Sequence, residues 1–424
     1  MTAPPTLAGF DPLSREFLTD PFPTWAQAQK ECPVFFYPAM NYWVLTRLDD
    51  VLEAVTDWQT FSSRAVALIP PPPDLADRVP SGFFKSAFVS IDPPEHTVPR
   101  KAANAGFTRS RIAALEPEIA AIANRLIDRV EASGACDLMQ DYCYQLSLRT
   151  IVHVLGLDDS DQSLSSYRQW TEDVFALMTP VVKDETGARS SVERPMDDRE
   201  RHDRWSRIAE AADYYRRVIA QRRADPGGDL VSVLVESRDE HGQPALDDDK
   251  IITHIQELIA AGNDTTANLM GSLVLYLSEQ PEDFAELKRS PALLENAVEE
   301  GMRRRGSSIG MFRVTTRDVQ VSGVDIPARS LVFLSWQAAG HDTSHFPNPR
   351  HVDLRRKNAG EHVSLGRGRH FCMGAPLART EARIGLQTLF ERIPGLEVVP
   401  EQSLEFAPTL NVSMLRSLHV RWQR

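Results

Sequence analysis

The sequence predicts a mainly α-helical protein with a small β region. Three observations predict it. Apolar residues recur at helical spacing over 110–132, 138–156, 205–223, 249–278 and 291–304. Short runs rich in aromatic and β-branched residues occur near 34–37, 42–46, 314–321, 331–335, 396–399 and 412–422. No internal repeat is present, which argues against a solenoid or propeller.

Taken in order, Pro23 to Lys30 reads as a short helix. Val34–Tyr37 and Tyr42–Thr46 flank Asn41 and fit a hairpin. Leu48 to Val55 reads as another short helix. Residues 62–91 are irregular, with prolines at 70–73, and a structureless stretch of that length is usually functional or mobile. The stretch 180–204 is highly charged and poor in apolar residues, so it reads as a mobile connection. A last helix begins at Ala375, with Pro376 in its first turn, where proline is tolerated. Length alone would suggest about three domains. Nothing has the composition of a linker, so one domain over 1–424 is expected, its strand-rich parts at 34–46, 314–335 and 396–422.

Hydrophobic residues make up 42% of the chain, enough for a sizeable core. The net charge of −12 argues against nucleic acid as a partner. No apolar run approaches the ~18 residues that span a bilayer, and the N-terminus lacks the basic and apolar regions of a signal peptide. A cytoplasmic location is expected. The four cysteines, at 32, 136, 143 and 372, form neither a disulfide framework nor a zinc pattern.

One cysteine stands apart. His362-Val-Ser-Leu-Gly-Arg-Gly-Arg-His-Phe-Cys-Met-Gly374 places Cys372 in a loop with glycines at 366, 368 and 374. Glycine lets backbone amides crowd a neighbouring atom, here the sulfur. Amide donors and the positive end of the following helix both favour a thiolate. A shielded thiolate is suited to be the single protein ligand of haem iron. A buried free cysteine is the blander reading, but the spacing Gly-x-Gly-x-His-x-Cys-x-Gly resembles the haem-binding loop of the cytochrome P-450 superfamily. Leu365 stands where that loop usually carries Phe.

The resemblance runs from about residue 20 to the C-terminus. It implies the P-450 fold, a triangular helical body with a long central helix over haem b bound through Cys372. Leu365, Gly366 and Gly374 belong to the cofactor loop. Within the helix 249–278, Leu258-Ile-Ala-Ala-Gly-Asn-Asp-Thr-Thr matches the family's Ala-Gly-x-(Asp/Glu)-Thr signature. Ala261 and Gly262 would leave room for dioxygen, the co-substrate. Thr265 would hydrogen-bond that oxygen and Asp264 would relay protons. A kinked core helix with a back-bonded threonine is the alternative. Glu300-x-x-Arg303 puts opposite charges on one helix face. The family makes of them a buried structural pair, joined by an arginine whose place His351 takes here, with Arg350 next to it as the available substitute. Haem propionates require cations. His96, Arg100, Arg313 and His370 match the family positions in order.

The stretch 299–381 looks closest to the haem domains of self-sufficient bacterial members, whose fused reductase has no counterpart in these 424 residues. Electrons from NAD(P)H would then arrive through an external ferredoxin and reductase. The docking face expected for that ferredoxin comprises Arg355, Arg356, Lys357, Arg367 and Arg369, with Arg100, Lys101, Arg109 and Arg111. Candidate pocket residues are Val66, Leu68, Phe83, Phe84, Leu258, Ala261, Ile309, Met311, Phe312 and Met414. They are apolar, which fits a small or medium hydrophobic substrate that is hydroxylated or oxidatively dealkylated. A peroxide-driven enzyme on the same fold is one rival, and the Asp264-Thr265 pair argues against it. A non-catalytic haem sensor or carrier is another, and a helical binding protein without haem is a third.

Overall fold

The computed structural model describes residues 3–184, 187–190 and 196–423; the side chains at 66, 67, 179–184 and 187–190 are outside this description. Helices α1 (Arg15–Thr19) and α2 (Phe22–Glu31) lead into the hairpin β1 (Val34–Tyr37) and β2 (Tyr42–Leu45). Helix α3 (Leu48–Thr56) and the short strands β3 (Phe61–Ser62) and β4 (Val66–Leu68) follow. The first half of the helical body is α4 (Thr97–Asn104), α5 (Arg109–Val130), α6 (Tyr144–Leu155) and α7 (Asp161–Leu177), with β5 (Ala135–Asp137) between α5 and α6. Strands β6 (Met178–Asp184) and β7 (Gly187–Ser190) precede α8 (Asp198–Ala224), α9 (Leu230–Glu236), α10 (Asp248–Ser278), α11 (Pro281–Arg289) and α12 (Leu294–Arg305). Then come β8 (Gly310–Thr315), β9 (Val319–Val321), β10 (Val324–Ile326), β11 (Leu331–Ser335), α13 (Trp336–Ala339), α14 (Ala375–Arg392), β12 (Glu397–Val398) and β13 (His419–Arg421).

The expected helices and the first hairpin are present. Two departures have physical reasons. Leu138–Cys143, expected to be α-helical, is a π-helical turn started by Asp137, whose carboxylate accepts from the amides of Met139 and Gln140. The charged stretch 180–204 is not all connection. Where described, it forms β6, β7 and the start of α8, which Asp197 caps through the Glu200 amide and the Glu200–Arg204 pair supports.

Helix α10 explains the architecture. Asp247 caps it through the Lys250 amide, and Asp248 and Asp249 complement its N-terminal dipole. It is buried all round over 251–260 and again over 266–277, as befits a helix running through the middle of a core. Burial lapses only around Ala261, Gly262, Asp264 and Thr265. The main core packs α5, α6, α8, α12 and α14 about this helix. A second layer is the five-stranded sheet β1-β2-β11-β8-β3, antiparallel except where β2 and β11 run parallel. Among the described residues no helix is long and apolar enough to cross a membrane.

Candidate active site

Cys372 lies at the floor of a cavity between α10, the N-terminus of α14 and strand β8, with about 1860 Å³ of atom-free space including its mouth. The loop is shaped by its own bonds. The Cys372 amide donates to the Leu365 carbonyl at 2.8 Å, and Gly366 and Gly368 adopt φ of 68° and 64°, where a side chain would be strained. Burial pushes the Cys372 thiol up; the amides of Gly374 and Ala375 and the guanidiniums of Arg100 and Arg379 oppose it. The environment therefore offers the sulfur an anion's partners.

The roof is α10. Ala261, Gly262 and Thr265 line the cavity. The Thr265 hydroxyl donates to the Ala261 carbonyl at 2.6 Å, the back-bond expected of a mid-helix threonine, while its own carbonyl accepts from the Ser307 hydroxyl at 2.5 Å. Gly262 does more than leave space above the floor: a Cβ there would stand 3.0 Å from Ile151 Cγ1, so the glycine also lets α10 approach α6. Asp264 is not on the cavity wall. It sits behind Thr265, where burial pushes its carboxyl up to about 6 against the opposing charges of Arg168 and Arg416.

At the edge of the cavity the four expected cations converge. His96 is buried and its Nε2 has no partner among the described residues; its ring lies 4.5 Å from that of His370. His370 Nε2 is 3.0 Å from the Ser63 hydroxyl. Arg313 is buried, and its side chain donates to the neighbouring Phe312 carbonyl at 2.8 Å. Arg100 donates to the Phe371 carbonyl and to Asn104 Oδ1. Burial, with the neighbouring arginines, holds His96 down at about 4 and His370 at about 3, and burial brings Arg313 to about 10. Two guanidiniums, Arg100 and Arg313, with two neutral imidazoles beside them as hydrogen-bond donors, make a site for anions.

Behind the floor, Glu300 and Arg303 are fully buried and joined by bonds of 2.5 and 3.0 Å. The third partner is Arg356, whose Nε reaches Glu300 Oε1 at 2.9 Å. It is not Arg350, which pairs with Asp20; His351 contributes its carbonyl, which accepts from Arg303 and Arg356. Arg356 therefore leaves the expected docking face, Arg355 is tied to Glu286, and Arg100 turns inward. Lys101, Arg109, Arg111, Lys357 and Arg369 remain exposed. Sequence reasoning passed over Glu299, which clamps His362 of the cysteine loop and Arg379 of α14. Burial raises its carboxyl, but these two bonds win and hold it at about 2.

The expected pocket residues divide. Phe84, Leu258, Ala261 and Met311 line the cavity. Ile309, which precedes β8, does not, and neither does Phe312, because successive residues of a strand point to opposite faces. Met311 and Arg313 face the cavity, whereas Phe312 packs on Tyr42 and Phe333 with centroids 5.3 and 4.9 Å away, in the cluster that also holds Ile309. Leu68 and Phe83 belong to the cluster around Trp205, and Met414 packs with Ala407 and Val412. The Val66 side chain lies outside the described residues. Wall residues the sequence reading missed include Val89, Val174, Phe175, Asn411 and Val412. Val174 and Phe175 lie on α7, whose 3–4-residue spacing of Leu164, Tyr167, Thr171 and Val174 was a usable signal.

The chain matches the Cytochrome P450 family over residues 39–290 and 290–417. It is 30% identical over its full length to cytochrome P450 monooxygenase PikC of Streptomyces venezuelae, covering 96% of that protein. It is 32% identical over 91% of its length to vitamin D(3) 25-hydroxylase of Pseudonocardia autotrophica, covering 89% of it. The crystal structure of CYP109E1 from Bacillus megaterium in complex with testosterone superposes with a TM-score of 0.82 at 28% identity, covering 97% of this chain and all of that one. Fold and family likeness together define an oxygenase. The chain belongs to the cytochrome P450 family, and it is a monooxygenase of organic substrates, of type EC 1.14.

That family implies a haem-thiolate cofactor. Two observations fit the residues here to such a group. The unpartnered His96 Nε2 and the buried Arg313 await carboxylates, and the Cys372 sulfur is surrounded by amides and guanidiniums.

Proposed function

We propose that this protein inserts one oxygen atom from dioxygen into a hydrophobic organic molecule, with haem b held by the Cys372 thiolate. The observation that carries this reading is the stacking of one cavity: a sulfur with anion-stabilising partners below, the break in burial at Ala261–Thr265 above, and two guanidiniums with an unpartnered His96 Nε2 at the side. When bound, haem supplies the activation of dioxygen; the protein supplies the rest. His96, Arg100, Arg313 and His370 hold the propionates. Leu365, Gly366 and Gly374 shape the loop around sulfur. Leu258, Met311 and Phe84 present an apolar wall that excludes water and orients the substrate. The Thr265 hydroxyl lines the cavity and would hold a proton there, and Asp264 behind it, its carboxyl raised to about 6, would resupply that proton. The Glu300–Arg303 pair is structural. The chain works as one haem domain and takes electrons from an external ferredoxin, which docks on the exposed Lys101, Arg109, Arg111, Lys357 and Arg369.

The reduced, carbon-monoxide-treated protein should show the long-wavelength Soret band of thiolate-ligated haem, and hydrophobic ligands should convert the ferric form from low to high spin. A protein without that band would end this reading.

Asp264 gives a pH test. With its carboxyl near 6, the proton-donating acid form is lost as pH rises through that value. Substrate-saturated turnover should fall above pH 6 when proton delivery limits it. Asp264→Asn should lower turnover by on the order of 100-fold and flatten that limb of the profile. Unchanged turnover would remove Asp264 from the relay.

A further inference from the structure

Once the cofactor's cations are set aside, one charged side chain on the substrate side of the cavity wall is unaccounted for. Glu257 lies on α10 two turns before Thr265, and it is 7% exposed. Its Oε2 accepts from the Phe88 amide at 2.9 Å and its Oε1 from the Val89 amide at 3.2 Å, so it fastens the loop carrying both residues to the central helix. An ionised carboxylate has about four acceptor sites, so capacity remains on each oxygen.

Among the described residues, the one ion-pair neighbour of this carboxylate is the His254 imidazole, which carries a charge only when protonated. The nearest guanidinium, Arg100, feels Glu257 electrostatically but donates to Asn104 and the Phe371 carbonyl, and it is one of the cations facing the propionates. His254 is enclosed completely and stacks flat on Phe88, with centroids 3.9 Å apart. Its Nδ1 stands 3.5 Å from Glu257 Oε2 without a hydrogen bond, and neither ring nitrogen has a partner among the described residues. The surrounding wall (Phe84, Phe88, Val89, Leu258) is apolar. A carboxylate held in such a wall by two neutral amides, with no permanent cation hydrogen-bonded to it among the described residues, is a desolvated group that a cation would complete.

We propose that Glu257 is a specificity-determining residue that binds the protonated amine of a hydrophobic substrate. The inference rests on the monooxygenase reading and names a substrate class for the same cavity. The helix rise puts Glu257 about 12 Å from Thr265 along the axis, so the amine and the oxidised carbon sit near opposite ends of an elongated molecule.

A matched pair of ligands tests this: a phenylbutyl dimethylamine and its carbon isostere, in which a CH replaces the protonated nitrogen. Binding to the haem-loaded enzyme is followed by calorimetry and by the ferric spin shift. The wild type should bind the amine about tenfold or more tightly than the isostere. Glu257→Gln, which keeps an acceptor for a loop amide, should erase the preference while the isostere's affinity holds within about twofold. Equal affinities in the wild type would overturn the proposal, and that arm needs no variant. A variant that weakens both ligands alike would overturn it too, leaving Glu257 as a loop fastener alone. An amine that ligates the metal directly would keep its preference in the variant, and that outcome equally defeats the proposal. Should the wild type lack the thiolate Soret band yet prefer the amine by calorimetry, the oxygenase reading fails and this one stands.

Discussion

Replacing Cys372 with serine should abolish the carbon monoxide band of a thiolate haem and reduce oxygenation more than about 100-fold, beyond the loss typical of a supporting-shell change. The reason is chemical. A serine hydroxyl does not ionise near neutral pH, so the donors converging on the sulfur would meet a neutral oxygen. The amides of Gly374 and Ala375 and the guanidiniums of Arg100 and Arg379 stay in place, so the loop should still fold. Circular dichroism and the thermal midpoint of the variant check that point. An unchanged absorption spectrum with undiminished product formation would overturn the site assignment.

Glu300→Gln should be the most destabilising single change among the residues described. Its carboxylate takes two bonds from Arg303, one from Arg356 and one from the Asp353 amide, all in a buried setting. Removing its charge strands two guanidiniums that are otherwise satisfied by backbone carbonyls, those of Gly340, Pro347, Asn348, Pro349 and His351. Breaking a buried pair this way costs about 3–5 kcal/mol. A domain has roughly 5–15 kcal/mol in hand, so much of the haem-binding capacity should go with it. Urea unfolding and the yield of holoprotein measure the effect. A midpoint equal to the wild type's would show that the network is ornamental.

The same network shows how far sequence could see. Glu300 and Arg303 were visible because they are three residues apart on one helix. Arg356 was not: it reaches Glu300 across a loop, a contact that spacing along the chain does not encode. The cysteine loop and the Asp264-Thr265 helix were legible for the opposite reason, since their chemistry is packed into contiguous residues. The cations at 96, 100, 313 and 370 come from three separate places and were found through family likeness rather than pattern. Pocket residues were read least well. Met311 and Phe312 are adjacent and both apolar, and only the strand's pleat decides which faces the ligand. Glu257 escaped because a lone acid in a helix looks like any solvated charge until the loop at 88–89 is seen to close over it.

Phe84 carries a consequence of its own. It lines the cavity with φ of 66°, a left-handed backbone that bulky residues avoid. Glycine would adopt that shape freely, whereas the Phe84 ring is 5% exposed in the core cluster around Trp205, and its burial offsets the strain. The ring is retained at a cost, and that cost falls on one exchangeable position. Trimming it would relax the main chain and enlarge the aperture at once, so a catalyst of broader appetite is reachable from this scaffold, the relieved strain offsetting part of the burial lost with the ring.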